Sequence, residues 1–202
     1  LCIFIFVMVG PAFLPIDLSF QDNTQTNVPP TMDMLTPPKQ LQGHIADITS
    51  GTTYAMGVSD TGDVYTWGYT RITDTIDLGD IPQKVLDAEI VHIAAGYDHC
   101  VAVDADGMVY VWGNERLGQG VLPVELSSAK LSGENLGIIQ LEAAYQFSAV
   151  VTEDGNVYLW GNQNMADIKV KRDYQGHIKK VALTTYNYIA LLDDGTVVYP
   201  GF

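Results

Sequence analysis

The sequence predicts an all-β fold of stacked antiparallel blades, and three observations carry that prediction. A ten-residue pattern recurs four times without gaps: SDTGDVYTWG ending at Gly68, DADGMVYVWG at Gly113, TEDGNVYLWG at Gly161 and LDDGTVVYPG at Gly201. Each copy places a glycine (Gly62, Gly107, Gly155, Gly195) between two runs rich in β-branched and aromatic residues, the signal of a tight hairpin. The intervals between those glycines, 45, 48 and 40 residues, are those of an array built from one repeated supersecondary unit.

Taken in chain order, the first element is an apolar leader. Residues 1–16 begin LCIFIFVMVGPAFLP, contain no charge through Pro15, and the first basic residue of the chain is Lys39. A bilayer span needs about 20 apolar residues, and this run is shorter and interrupted by Pro11 and Pro15. It reads as the tail of a secretory signal, the end of a membrane anchor, or a strand of the domain itself. The first two place the rest of the chain outside the cytoplasm, secreted or membrane-anchored, and the lack of basic residues downstream agrees with that orientation. Residues 17–42 turn to Asn, Gln, Thr, Asp and Pro, with Pro29-Pro30 and Pro37-Pro38. Such a composition favours an extended polar linker. The alternative is a covering segment laid over the domain.

Residues 43–202 hold the repeats. In the second copy, Ile90–Ala95, His99–Val103 and Met108–Trp112 form three strands of a meander, with a fourth expected in the variable stretch between copies. Along the outgoing strand Val109 and Val111 face one way, Tyr110 and Trp112 the other. A strand apolar on both faces needs neighbours on both sides, as the blades of a β-propeller provide. Trp67, Trp112 and Trp160 anchor the outgoing strands by aromatic burial, and Gly68, Gly113 and Gly161 let the chain turn away after them.

The pattern IAAGYDHCVAVDADGMVYVWGNERLGQG resembles the RCC1 repeat, the regulator-of-chromosome-condensation type of propeller module. Gly96, His99, Gly107, Tyr110, Trp112, Gly113, Asn114 and Gly118 fall in register with its motif. Other copies drift: Tyr54, Phe147 and Asn187 fill the slot of His99, and Pro200 replaces the tryptophan. The resemblance implies an RCC1-like propeller of about four repeats, a partial ring where the family commonly closes seven blades. Further sequence or another chain is expected to complete it, the alternative being a four-bladed ring.

The chemistry expected of such a chain is recognition. Hydrophobic residues at 47% exclude wholesale disorder, and a net charge of −14 argues against nucleic acid as a partner. Paired carboxylates (Asp104 with Asp106, Glu153 with Asp154, Asp193 with Asp194) all precede the turn glycine, where turn geometry accounts for them. No nucleophile elbow, phosphate-binding loop or metal-ligand spacing occurs, so no enzyme activity, cofactor or metal is expected. Cys2 and Cys100 stand far apart and read as unpaired. Five of the ten basic residues lie in KVKRDYQGHIKK, from Lys169 to Lys180, either a solvated edge or a patch for an acidic partner or anionic lipid.

The loops after each Trp-Gly pair are the expected protein-binding surface, with Tyr69, Arg71, Asn114, Arg116, Asn162 and Asn164 as candidate contacts. The leading reading is an exported, non-enzymatic protein-binding module. The alternative is an accessory subunit of a membrane complex, associated through residues 1–15. Guanine-nucleotide exchange, which the resemblance also implies, is opposed by the acidity and the leader.

Overall fold

The computed structural model describes residues 36–164 and 169–199. The leader and the first part of the linker therefore lie outside the described residues, as do Pro200 and Gly201 of the fourth repeat.

Four three-stranded antiparallel meanders follow one another. Blade 1 holds β1 (Ile45–Ser50), β2 (Tyr54–Ser59) and β3 (Val64–Gly68). After it come a two-stranded ribbon, β4 (Arg71–Thr73) with β5 (Ile76–Asp77), and the single-turn helix α1 (Gln83–Leu86). Blade 2 holds β6 (Ile90–Ala95), β7 (His99–Asp104) and β8 (Val109–Gly113), and is followed by α2 (Val124–Ser132). Blade 3 holds β9 (Ile138–Ala143), β10 (Phe147–Thr152) and β11 (Val157–Gly161). Blade 4 holds β12 (Ile178–Leu183), β13 (Tyr188–Leu192) and β14 (Val197–Val198).

The hairpins form where the glycines predict them. Gly62, Gly107, Gly155 and Gly195 have φ of 85°, 82°, 79° and 85°, left-handed values that cost other residues steric energy. The neighbouring acids hold the turn. In blade 2, Asp104 Oδ1 accepts the backbone N–H groups of Asp106 and Met108 at 3.0 and 2.8 Å, and Oδ2 accepts the Tyr110 hydroxyl at 2.8 Å. In blade 4 the Asp194 carboxylate accepts the Thr196 N–H at 2.8 Å.

Strand alternation then distributes side chains between two interfaces. On the face towards blade 1, Cys100, Ala102 and Trp112 join Tyr54, Met56 and Val58. On the opposite face Val101, Val103, Val109 and Val111 meet Leu141, Val150 and Trp160 of blade 3. Blade 3 repeats the scheme, its Phe147, Ala149, Val151, Val157 and Leu159 packing on Val181, Tyr188 and Ala190 of blade 4. The first strands of successive blades adjoin, β1 by β6, β6 by β9 and β9 by β12. The core of the described residues is therefore three interblade layers, with the apolar burial of blades 2 and 3 divided between two of them and that of blades 1 and 4 given to one each.

The expected fourth strand is not there: among the described residues no strand pairs beyond β3, β8 or β11. The connectors pack as the β4–β5 ribbon and α2 instead. Leu126 and Ala129 of α2 are buried, and Leu126 joins the layer between blades 2 and 3, so the connector covers that layer with a helix where a strand was expected. Leu41, ahead of the first strand, is fully buried. A Cβ placed on Gly57 would come within 2.7 Å of its Cδ1 and 3.2 Å of the Trp67 ring.

Candidate functional site

The loops entering each second strand and those leaving each third strand share one end of the blades, because Tyr54 pairs with Gly68, His99 with Gly113 and Phe147 with Gly161. The hairpin turns lie at the other end.

At the loop end, the central group is Asp98, which is 3% exposed. Its carboxylate accepts hydrogen bonds from Asn114 Nδ2 at 2.8 Å, Gln119 Nε2 at 3.2 Å and Gln146 Nε2 at 3.0 Å, and lies 3.4 Å from His99 Nδ1. Burial alone would raise its pKa, but the hydrogen bonds from His99, Asn114 and Gln146 outweigh that and hold it below the ordinary aspartate value. Gln146 Oε1 in turn accepts the Asn162 amide at 2.9 Å. One carboxylate thus ties the loops of blades 2 and 3 together.

His99 is wholly buried, and its Nε2 lies 2.8 Å from Ser148 Oγ. Asp98, His99 and Ser148 form a carboxylate–imidazole–hydroxyl chain like that of nucleophilic hydrolases. Ser148 is 0% exposed, however, so its oxygen meets no solvent and no substrate; the chain bolts blade 2 to blade 3. Cys100 is equally closed off, and burial pushes its thiol up to about 12. The Tyr54 hydroxyl lies 3.2 Å from its sulfur and donates to the Gly96 and His99 carbonyls at 3.0 and 3.1 Å. Among the described residues no three His, Cys, Asp or Glu side chains gather to hold a metal ion. No described helix is long and apolar enough to cross a membrane.

Between the loops of blades 2 and 3 opens a groove of about 790 Å³, lined in part by Arg116, Leu117, Val124, Trp160, Asn162 and Asn164. It is shaped by close backbone approach: a Cβ on Gly118 would sit 2.5 Å from the Gly161 carbonyl oxygen, and Trp160 Nε1 donates to the Gln119 carbonyl at 2.9 Å. Leu117 and Val124 are 44% and 75% exposed, which leaves apolar surface beside an exposed guanidinium.

Of the candidate contacts, Arg116, Asn162 and Asn164 are brought together in this groove. Asn162 is only 6% exposed and Asn114 serves Asp98, so those two position loops and offer little free surface. Tyr69 and Arg71 stand elsewhere, on the approach to the β4–β5 ribbon, with Arg71 Nε 4.0 Å from Asp77. Sequence reasoning missed Asp98, Gln119 and Gln146. The signal available was Asp98 beside His99 in the best-matching repeat.

The stacked meanders joined through Trp-Gly anchors have the fold of RCC1-like β-propeller blades. Residues 90–119 match the family model described as the regulator of chromosome condensation (RCC1) repeat, the segment that carries the resemblance in the sequence. Among solved structures, the chain is similar to yeast RCC1 (Prp20) bound to Kap60, at 18% identity and a TM-score of 0.56, covering 76% of this chain and 42% of that one. Prp20p from Saccharomyces cerevisiae, described with its binding to Gsp1p and histones, gives 20%, 0.54, 79% and 45%. The ectodomain of the Arabidopsis thaliana receptor kinase ACR4 gives 17%, 0.54, 78% and 51%. The chain thus spans about half the length of these structures. No curated protein sequence matches it.

Proposed function

We propose that this chain is an exported, non-enzymatic protein-binding module whose recognition surface is the groove between the post-Trp-Gly loops of blades 2 and 3. The observation that carries the reading is the groove itself: exposed Leu117 and Val124 beside Arg116, apolar area next to an arginine, a residue type enriched at protein interfaces. One structural relative, yeast RCC1 (Prp20), is described in complex with Kap60 and with binding to Gsp1p and histones. Export is supported by the uncharged leader and by the absence of Lys and Arg before Lys39.

A photo-crosslinking residue placed at Val124 in the cellular protein should capture one discrete protein. The same probe at Val91, exposed on β6 away from the groove, should not. Arg116→Glu should abolish the adduct while leaving the fold intact. Equal capture at both positions, or no change with Arg116→Glu, overturns the groove assignment. Protease added to intact cells should digest the domain, and protection from it would overturn export.

A further inference from the structure

We propose that Asp98 is the positioning residue of the groove, its buried carboxylate setting the main chain of both walls through three amide relays. The role rests on the groove between blades 2 and 3 being the binding surface, and it assigns what holds that surface in shape.

Three relays run outward from the carboxylate. Asn114 donates from Nδ2 to Asp98 Oδ2 at 2.8 Å, and its Oδ1 accepts the Arg116 N–H at 3.2 Å. Gln119 donates from Nε2 to Asp98 Oδ1 at 3.2 Å, and its Oε1 accepts the Leu117 N–H at 3.0 Å. Gln146 donates to Asp98 Oδ2 at 3.0 Å and accepts from Asn162 Nδ2 at 2.9 Å, while Asn162 Oδ1 accepts the Asn164 N–H at 3.1 Å. The relays end on Arg116 and Leu117 of one loop and Asn164 of the other, and all three line the groove.

An ionised carboxylate only accepts hydrogen bonds, so each amide that meets it turns its NH2 group inward and its carbonyl outward. Those outward carbonyls are the acceptors that the loops use. With a neutral asparagine in place of Asp98, one of the two oxygens becomes a donor, and an amide facing it must flip or let go. A flipped amide then sets its NH2 group against the N–H it had been holding. Orientation therefore passes from one buried group to both walls.

The repeat frame does without this carboxylate. By register Thr53, Asp98 and Gln146 share the position before the second strand, and Tyr69, Asn114 and Asn162 the position after the third. One backbone bond crosses each pair: Tyr69 N–H to the Thr53 carbonyl at 2.8 Å, Asn114 to Asp98 at 2.8 Å and Asn162 to Gln146 at 2.9 Å. Threonine and glutamine thus close their blades as well as aspartate does. Blade 2 alone of these three holds a charge there, at 3% exposure, and a buried carboxylate is costly unless donors surround it. A charge kept where a neutral residue would serve the blade points to the loops that it orders.

The test is residue-resolved amide hydrogen exchange of the 202-residue chain carrying Asp98→Asn, with circular dichroism to verify folding. Exchange should quicken several-fold at Arg116, Leu117 and Asn164. It should stay unchanged at Asp106 and Met108, whose N–H groups bond to Asp104 at the far end of blade 2. Gln146→Met cuts a single relay, and should quicken Asn164 while leaving Arg116 and Leu117 as they were; if Asp98→Asn fails to fold, this variant decides alone. In the cell, Asp98→Asn should lower the adduct captured at Val124 by about tenfold or more, the loss expected when a surface is no longer preorganised. Uniform quickening through blade 2 would make Asp98 a residue of the fold only and overturn the proposal. Unchanged exchange at the three groove amides, or an undiminished adduct, would overturn it too. A wild-type chain that captures nothing at Val124 overturns the groove reading instead, while the exchange pattern still decides what Asp98 holds.

Discussion

Blades 2 and 4 share one strand frame and differ in what locks it. In blade 2 every slot is filled by a side chain with a partner: Trp112 is 3% exposed and donates to the Leu78 carbonyl at 3.1 Å, and His99 reaches Ser148. In blade 4 the backbone path is kept, with Thr184 N–H donating to the Asn187 carbonyl just as Gly96 N–H donates to His99, yet among the described residues β14 is two residues long and Asn187 Oδ1 has no hydrogen-bond partner. Hairpin geometry therefore persists on glycine turns, backbone bonds and packing against a single neighbour. Stability comes from the interblade side chains, and it is unequally shared.

The widest separation between the two blades should appear on truncating their apolar residues. Trp112→Ala should cost about 3–5 kcal/mol, the range for removing a buried large aromatic, read as a lowered urea midpoint. Val197→Ala, on the exposed end of blade 4, should stay within about 0.5 kcal/mol. Comparable losses would show that blade 4 is as tightly packed as blade 2.

The polar slot gives the next contrast. His99→Ala leaves Ser148 Oγ unpaired in a sealed layer and should cost about 1–3 kcal/mol. Asn187→Ala removes a group with no hydrogen-bond partner among the described residues and should be neutral or slightly stabilising. A costly Asn187→Ala would mean that the oxygen has a partner in solution.

Smaller still is a pH effect that should weigh more in blade 2 than in blade 4, where hydrogen bonds to Thr196 also hold the Asp194 carboxyl below its ordinary value but at a fully exposed turn. Asp98 has a folded pKa below its ordinary value, so it releases its proton more readily in the folded chain. Its contribution is then fully present above about pH 4, the unfolded aspartate value, and is lost as pH falls through the lower folded value. Asp98→Asn should flatten the acid limb of the stability profile below pH 4, whereas Asp194→Asn in blade 4, at a fully exposed turn, should change it little. An unchanged limb in Asp98→Asn would place the acid sensitivity elsewhere.

Blade number, strand order and turn positions were legible because they depend on residues with one physical use: glycine at positive φ, tryptophan at a strand end. The connectors were not. Residues 124–132 read VELSSAKLS, whose Leu126 and Ala129 share a helical face only weakly marked among serines, so a helix filled the place expected for a strand. Of the loop candidates, Arg116 was legible as an exposed cation beside a Gly turn. The Asp98 network was not, since its members Asn114, Gln119 and Gln146 look like ordinary loop amides until folding brings them to one carboxylate.

The forward reach of Tyr54, His99 and Gln140 gives the molecule a direction in time. Each of blades 1 to 3 leaves the ribosome with its linking groups unmet until the next one, 45, 48 or 40 residues behind, has emerged, a wait of roughly 2–10 seconds at elongation rates of about 5–20 residues per second. During that interval the newest blade shows an apolar face and a dangling hydroxyl or imidazole to whatever holds nascent chains. Synthesis in the written order lets every wait end with the next repeat, whereas a circular permutant beginning at blade 3 would leave the bolt from His99 to Ser148 to be drawn across the whole molecule.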